Sequence, residues 1–163
     1  MNFFPIGIFF IEELFWENEM KQLANDIVTK LFVEFNMAID KLRDLSQTPK
    51  NDFITNYEKV DAAKYNFIIV IEAMIDICSH IIADKNLGAP EEYADVFKIM
   101  GSKGVFPESY IMKLIEMTKF RNLLIHVYWK VHDDKIYKYL QNNLDDFDSF
   151  KKFIKAYLNS TVE

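Results

Sequence analysis

The chain has 163 residues, half of them hydrophobic and 27% charged, a composition that suits one globular domain with a single core. Its formal charge of −6 excludes a general nucleic-acid binder with a broad basic face, so any action on RNA requires positive charge gathered in a cleft or by an oligomer. The lone Cys78 excludes an internal disulfide and a zinc site of its own making; its place in the apolar run Phe67 to Ile82 reads as a buried, inert thiol in a reducing cytoplasm.

Four glycines and four prolines are too few for an all-β protein, while Leu, Ile, Met, Glu, Lys and Asp fill the stretches between them. Residues 1–19 form an aromatic N-terminal extension, and residues 20–163 are expected to form the domain. Met1 to Trp16 lacks the positive start of a secretory signal. The apolar stretch Phe3 to Ile11, interrupted by Pro5 and Gly7, falls short of the about 20 residues that span a bilayer, so no membrane association is expected. The expectation is a leader packed on the domain or on a partner, with Met20 as an alternative natural start.

After Met20, the apolar residues Leu23, Ile27, Leu31, Phe35, Ala38, Leu42 and Leu45 keep the spacing of an amphipathic helix, which Ser46 to Asp52, with Pro49, should break. A second long helix is predicted over about Tyr57 to Ala83. Its face from Val60 and Phe67 through Met74 to Ile82 is apolar, and so are its flanks at Ile68, Ile69 and Ile77, which puts it at the centre of a bundle. Asn86, Gly88 and Pro90 form the stop. A short helix should follow from Pro90 to Met100 and end at Gly101 to Gly104. Pro107 opens the next helix, which carries Ile111, Leu114, Ile115, Thr118, Leu123 and Leu124 on or near its inner face. His132-Asp133-Asp134 then offers an N-cap for a last helix, Lys135 to Leu158. The expected architecture is all-α, a single antiparallel bundle of about five helices.

The chemistry is concentrated in Phe120-Arg121-Asn122-Leu123-Leu124-Ile125-His126-Val127-Tyr128, where polar groups are set among apolar ones near a predicted helix end. At about 100° per residue, Tyr128 falls almost over Arg121 and His126 close to Asn122, whereas Arg121 and His126 diverge by about 140°. For both to reach one phosphate, the helix must loosen near His126 or a second subunit must supply part of the site. Taken alone, the spacing favours a simpler arrangement: Arg121 paired with an acid of the central helix, Glu72 or Asp76, and Asn122 and His126 bonded to backbone. Tyr128 would then be a core or interface tyrosine bonded to Arg121. Glu72 and Asp76 have no third ligand at metal spacing, so no metal site is expected. His80 reads as a satisfied core histidine, with cleft contact the lesser alternative, His132 as an exposed helix start, and Asp145, Asp146 and Asp148 as a solvated face, with a basic partner the lesser alternative.

The stretch resembles the signature of HEPN proteins, and its form here (Arg, four residues, His, one residue, Tyr) is similar to that of the HepT branch of MNT–HEPN toxin–antitoxin systems. The resemblance extends, in matching order, over Asp61-Ala62-Ala63, Ile71 to Ile77, His80-Ile81-Ile82, Tyr93 to Phe97 and Ile136-Tyr137, or roughly Met20 to Leu158. The leader has no counterpart there, and His132 stands where that branch often has Asp. The resemblance implies a metal-independent endoribonuclease without cofactors, whose cleft forms between the protomers of a homodimer. His126 would be the general acid or base for attack by the ribose 2′-OH, Arg121 the phosphate clamp, and Asn122 a residue that orients His126 or the RNA backbone. Glu72, Asp76 and His80 would support the site. It also implies that Tyr128 accepts AMP from a cognate MNT nucleotidyltransferase, the antitoxin, which would block the cleft and repel RNA phosphate. Two alternatives stand beside this: a non-catalytic HEPN subunit that presents Tyr128 or a groove to a nucleotidyltransferase, and a purely structural helical adaptor.

Overall fold

The computed structural model describes the backbone of residues 6–160, and the side chains of Glu19, Gln22 and residues 25–160. Among these, the chain forms α-helices and no strand: α1 (Ile6–Ser46), α2 (Lys50–Ile54), α3 (Tyr57–Asp84), α4 (Tyr93–Ser102), α5 (Glu108–His126), a 3-10 turn (Tyr128–Lys130), α6 (Asp133–Asn142) and α7 (Leu144–Ser160).

The antiparallel all-α bundle expected from the periodicity is present. α3 lies at its centre, with Phe67, Val70, Ile71, Met74, Ile77, Cys78 and Ile82 buried. This helix is long and apolar enough to cross a membrane, but most of that stretch is buried inside the bundle, which accounts for its composition. Asn56 caps its start by accepting from the Lys59 amide at 3.2 Å. At its other end Asn86 takes a left-handed φ of 50°, and the Leu87 amide reaches back to the Ile82 carbonyl.

Aromatic contacts tie the layers together. Phe35 of α1 meets Phe147 and Phe150 of α7, with ring centroids 6.5 and 5.7 Å apart. Phe120 of α5 packs edge-on against Phe67 of α3 at 5.6 Å and Tyr139 of α6 at 4.6 Å. Because Phe120, Thr118 and Leu124 are buried, the rotation of α5 is fixed and Arg121 comes to the margin of its inner face, beside α3.

Four local details differ from expectation. α1 begins at Ile6, well before Met20, and runs without interruption; the packing of the leader's side chains, and residues 1–5, lie outside the described residues. A short helix, α2, begins within the predicted break once Pro49 is passed and buries its own Phe53. The fourth helix begins at Tyr93 instead of Pro90, where the Asp95 carboxylate accepts from the Glu92 amide at 3.1 Å. The last helix is two: Asn143 breaks the ladder with ψ near 0°, and Asp145 and Asp146 open α7, where its dipole favours them. That cluster is not simply solvated, since Asp146 pairs with Lys113 at 2.6 Å and Asp148 with Arg43.

Candidate active site

The residues that matter sit where α5 runs out against α3. Arg121 is mostly buried, its side chain 11% exposed, and its guanidinium is engaged on several sides. One amino group donates to Glu72 of α3, the other to Oδ1 of Asn122 at 3.0 Å, and the plane lies 4.9 Å from the ring centre of Tyr93 on α4. Its Nε is buried and makes no bond among the described residues. Glu72 is therefore the acid that meets Arg121, of the two on that face. Asp76, one turn further on, makes no hydrogen bond to it. Partial burial, then the charges of Glu72 and Glu34, push the Asp76 carboxyl above its ordinary range, with Arg121 opposing them. The carbonyl oxygen of Asn122 accepts from Arg121, which leaves its amide nitrogen as the group that faces other partners.

His126 is the last residue of α5 and is exposed. Val127 leaves the helical region at φ −138° and ψ 44°, yet its amide still reaches the Leu123 carbonyl at 2.9 Å. Buried Val131 draws the chain back to the bundle, and the residues between form the 3-10 turn. The helix opens only after His126, at Val127, so Arg121 and His126 both lie on regular helical turns and keep their divergence within one chain. Leu123, Ile125 and Trp129, 43%, 41% and 77% exposed, place apolar surface around His126 that the described residues leave uncovered.

Beyond the helix end, Tyr128 no longer follows the α-helical spiral and does not sit over Arg121. Its hydroxyl donates to Asp61 of α3 at 2.7 Å. The Lys64 ammonium lies 4.7 Å from the centre of its ring and pairs with Asp133 of α6 at 3.1 Å. Burial, then the hydrogen bond to Asp61 and the charges of Asp61 and Asp133, raise the Tyr128 phenol well above its ordinary range. The expected bond from Tyr128 to Arg121 is absent because the turn at Val127 carries the ring to the start of α3, about three turns from Glu72.

His80 is partly buried, but its Nε2 makes no hydrogen bond among the described residues, unlike the satisfied core histidine expected. Cys78 is buried, and burial pushes its thiol up, away from reactivity. His132 is an exposed N-cap that makes no side-chain capping bond; Asp133 and Asp134 in the first turn of α6 pair with Lys64 and Lys50 instead. Among the described residues, no group of three or more His, Cys, Asp or Glu is arranged to hold a metal ion.

Sequence reasoning missed Asp61, Lys64, Tyr93 and Asp133 as members of these clusters. One signal was available: Lys64 falls among the buried, largely apolar residues of α3, and a buried ammonium requires partners. A groove of about 750 Å³ opens beside Arg121, between α3, α4 and α5, and is lined by Ser79, Tyr93, Thr118, Lys119 and Asn122 among others.

The chain is similar to known proteins in sequence and in fold. Residues 35–154 match the family model described as ribonuclease HepT-like. The chain is 26% identical over 132 residues to the mRNA nuclease HepT of Shewanella oneidensis, a match that covers 81% of this chain and 98% of the relative. A solved structure of a tri-AMPylated Shewanella oneidensis HEPN toxin in complex with MNT antitoxin superposes with a TM-score of 0.74 at 25% identity, covering 80% of this chain and 98% of that one. The same fold is seen in the Bacillus subtilis cytosolic protein of unknown function YutE, with a TM-score of 0.72 at 21% identity, over 84% of this chain and 92% of that one. With the family model matched over most of its length, the chain belongs to the ribonuclease HepT-like family.

Proposed function

We propose that this protein is the RNA-cutting toxin of a toxin–antitoxin pair, with Arg121 and His126 as its catalytic residues, and that an MNT nucleotidyltransferase silences it by transferring AMP to Tyr128. The observation that carries this is the end of α5: an exposed histidine at the point where the helix opens, with a positioned guanidinium just over a turn before it and a hydrogen-bonded tyrosine just after it.

In this mechanism the 2′-oxygen of a ribose attacks the adjacent phosphorus, and the bond from phosphorus to the 5′-oxygen breaks. His126 moves the proton; an imidazole ionises near neutral pH, and an exposed position lets it reach the sugar. Arg121 holds the phosphate oxygens and offsets the charge that develops on them. Its ion pair with Glu72 keeps the guanidinium in place while the site is empty, and a phosphate would take over that role. Asn122 fixes the orientation of the guanidinium, and Glu72 supports it. The chemistry uses protein groups alone.

Two copies are proposed to join at their α5 ends and complete the cleft. Exposed Leu123, Ile125 and Trp129 support this, and pairing would bring two Arg121 together where RNA must lie. A cytoplasmic location is proposed, consistent with the free thiol.

The test is cleavage of RNA by the wild type, His126→Ala and Arg121→Ala. Cleavage by the wild type alone is the expected result. If all three leave RNA equally intact, the second reading takes its place: a non-catalytic subunit that presents Tyr128 to the nucleotidyltransferase. The acidic charge and the engagement of Arg121 by Glu72 favour that reading.

A further inference from the structure

We propose that Asp61 is the general base for the silencing reaction, taking the phenolic proton of Tyr128 as AMP is transferred to that oxygen. The proposal rests on the reading of Tyr128 as the AMP acceptor. It adds that the toxin chain itself supplies a catalytic group for its own modification.

The geometry is specific. The Tyr128 hydroxyl donates to Oδ1 of Asp61 at 2.7 Å, across 67 residues of sequence. Asp61 is exposed and Tyr128 only partly buried, so a nucleotide carried by a partner enzyme can approach the oxygen. Lys64, one turn beyond Asp61 on α3, holds its ammonium 4.7 Å from the ring centre. It is buried and fixed by Asp133 of α6 at 3.1 Å, so the charge stays at the ring. The charged groups facing the phenol are thus Asp61 and Lys64 from α3 and Asp133 from α6.

The chemistry calls for this arrangement. A bond forms between the phenolic oxygen and the α-phosphorus of ATP, the α,β-phosphoanhydride bond breaks, and pyrophosphate leaves. The phenolic proton must go elsewhere as the new bond forms. Burial and the two acids keep the proton on oxygen in the resting chain, so preformed phenolate is not the nucleophile. A carboxylate already bonded to that proton can take it as attack proceeds. Lys64 over the ring offsets the negative charge that builds on the phenol.

A second consequence follows from the same contacts. Once esterified, the oxygen has no hydrogen to donate, and the new phosphodiester is negative beside Asp61 and Asp133. Repulsion then favours departure of the modified side chain from this seat.

The experiment incubates the full-length chain with its nucleotidyltransferase, ATP and magnesium, and follows AMP incorporation by intact mass from neutral to alkaline pH. Asp61→Asn keeps a hydrogen-bond acceptor in place but cannot take the proton. Its modification is expected to slow by about 100-fold or more at neutral pH. The deficit should narrow as pH rises, because hydroxide can then remove the proton, while Asp61→Glu should recover part of the rate at neutral pH. A purely structural role would lower the rate by one factor at every pH. Modification of Asp61→Asn at the wild-type rate, or a deficit independent of pH, overturns the proposal. Tyr128→Phe separates the two readings: AMP addition that persists there removes Tyr128 as the acceptor, whereas its loss there with a normal rate in Asp61→Asn removes only the role of Asp61.

Discussion

α3 presents a carboxylate to the α5 end of the molecule in two places, and each does something different. Near its middle, Glu72 meets the guanidinium of Arg121, a permanent charge held in a mostly buried position. Near its start, Asp61 meets the hydroxyl of Tyr128, a neutral group at a more open position. The first acid neutralises a cation that otherwise lacks water, and in the proposed mechanism it is a structural partner until phosphate arrives. The second accepts a hydrogen bond from a proton that the proposed silencing reaction would remove, so there it would act on reactivity. On that proposal the same helix serves a clamp in one place and a switch in the other, according to what faces each acid.

The comparison can be tested by substitution. The largest effect is expected in activity: His126→Ala and Arg121→Ala should each reduce RNA cleavage about 100- to 10,000-fold, measured with a labelled oligoribonucleotide. Next comes stability at the clamp. Glu72→Ala leaves the Arg121 cation without its acid and should cost about 1–3 kcal/mol in urea unfolding, towards the lower end because Glu72 keeps some solvent contact. At the switch, Asp61→Ala and Tyr128→Phe should each cost under about 1 kcal/mol, since both groups can turn to water. Equal costs at the two acids would erase the distinction drawn here.

The smallest effect concerns Asp76. Its carboxyl is raised by partial burial and by Glu72 and Glu34, so ionisation is harder in the folded chain than in the unfolded one. Stability therefore falls as pH rises from the unfolded value through the raised folded one. Asp76→Asn should raise the melting temperature slightly at neutral pH. The gain should vanish in acid, below the unfolded value, where both chains are neutral at this position; a gain that persists there would contradict the assignment.

How far the sequence carries depends on the range of the interaction. α3 was legible because burial on nearly all sides leaves an unbroken apolar record. The end of α5 was legible because His132-Asp133-Asp134 marks a new helix start, which requires the preceding helix to stop. The break at Asn143 was not, since the apolar period resumes on the other side and conceals it. Nor did α2 stand out: five residues give no measurable period, and one buried phenylalanine holds them. Within the site, Arg121 was predicted to meet Glu72 or Asp76, two residues one turn apart. Only the rotation set by Phe120 and Leu124 decides between them. The partner of Tyr128 was hidden for the same reason, since Asp61 reaches it through the packing of α3 against the turn after α5.

The most direct test of the central claim is RNA cleavage by the wild type, His126→Ala and Tyr128→Phe, each with and without the nucleotidyltransferase and ATP. The wild type should cut RNA and be silenced, Tyr128→Phe should cut and escape silencing, and His126→Ala should not cut under either condition. Cleavage by His126→Ala at the wild-type rate, or silencing of Tyr128→Phe, would contradict the division of this segment into a cutting site and a switch.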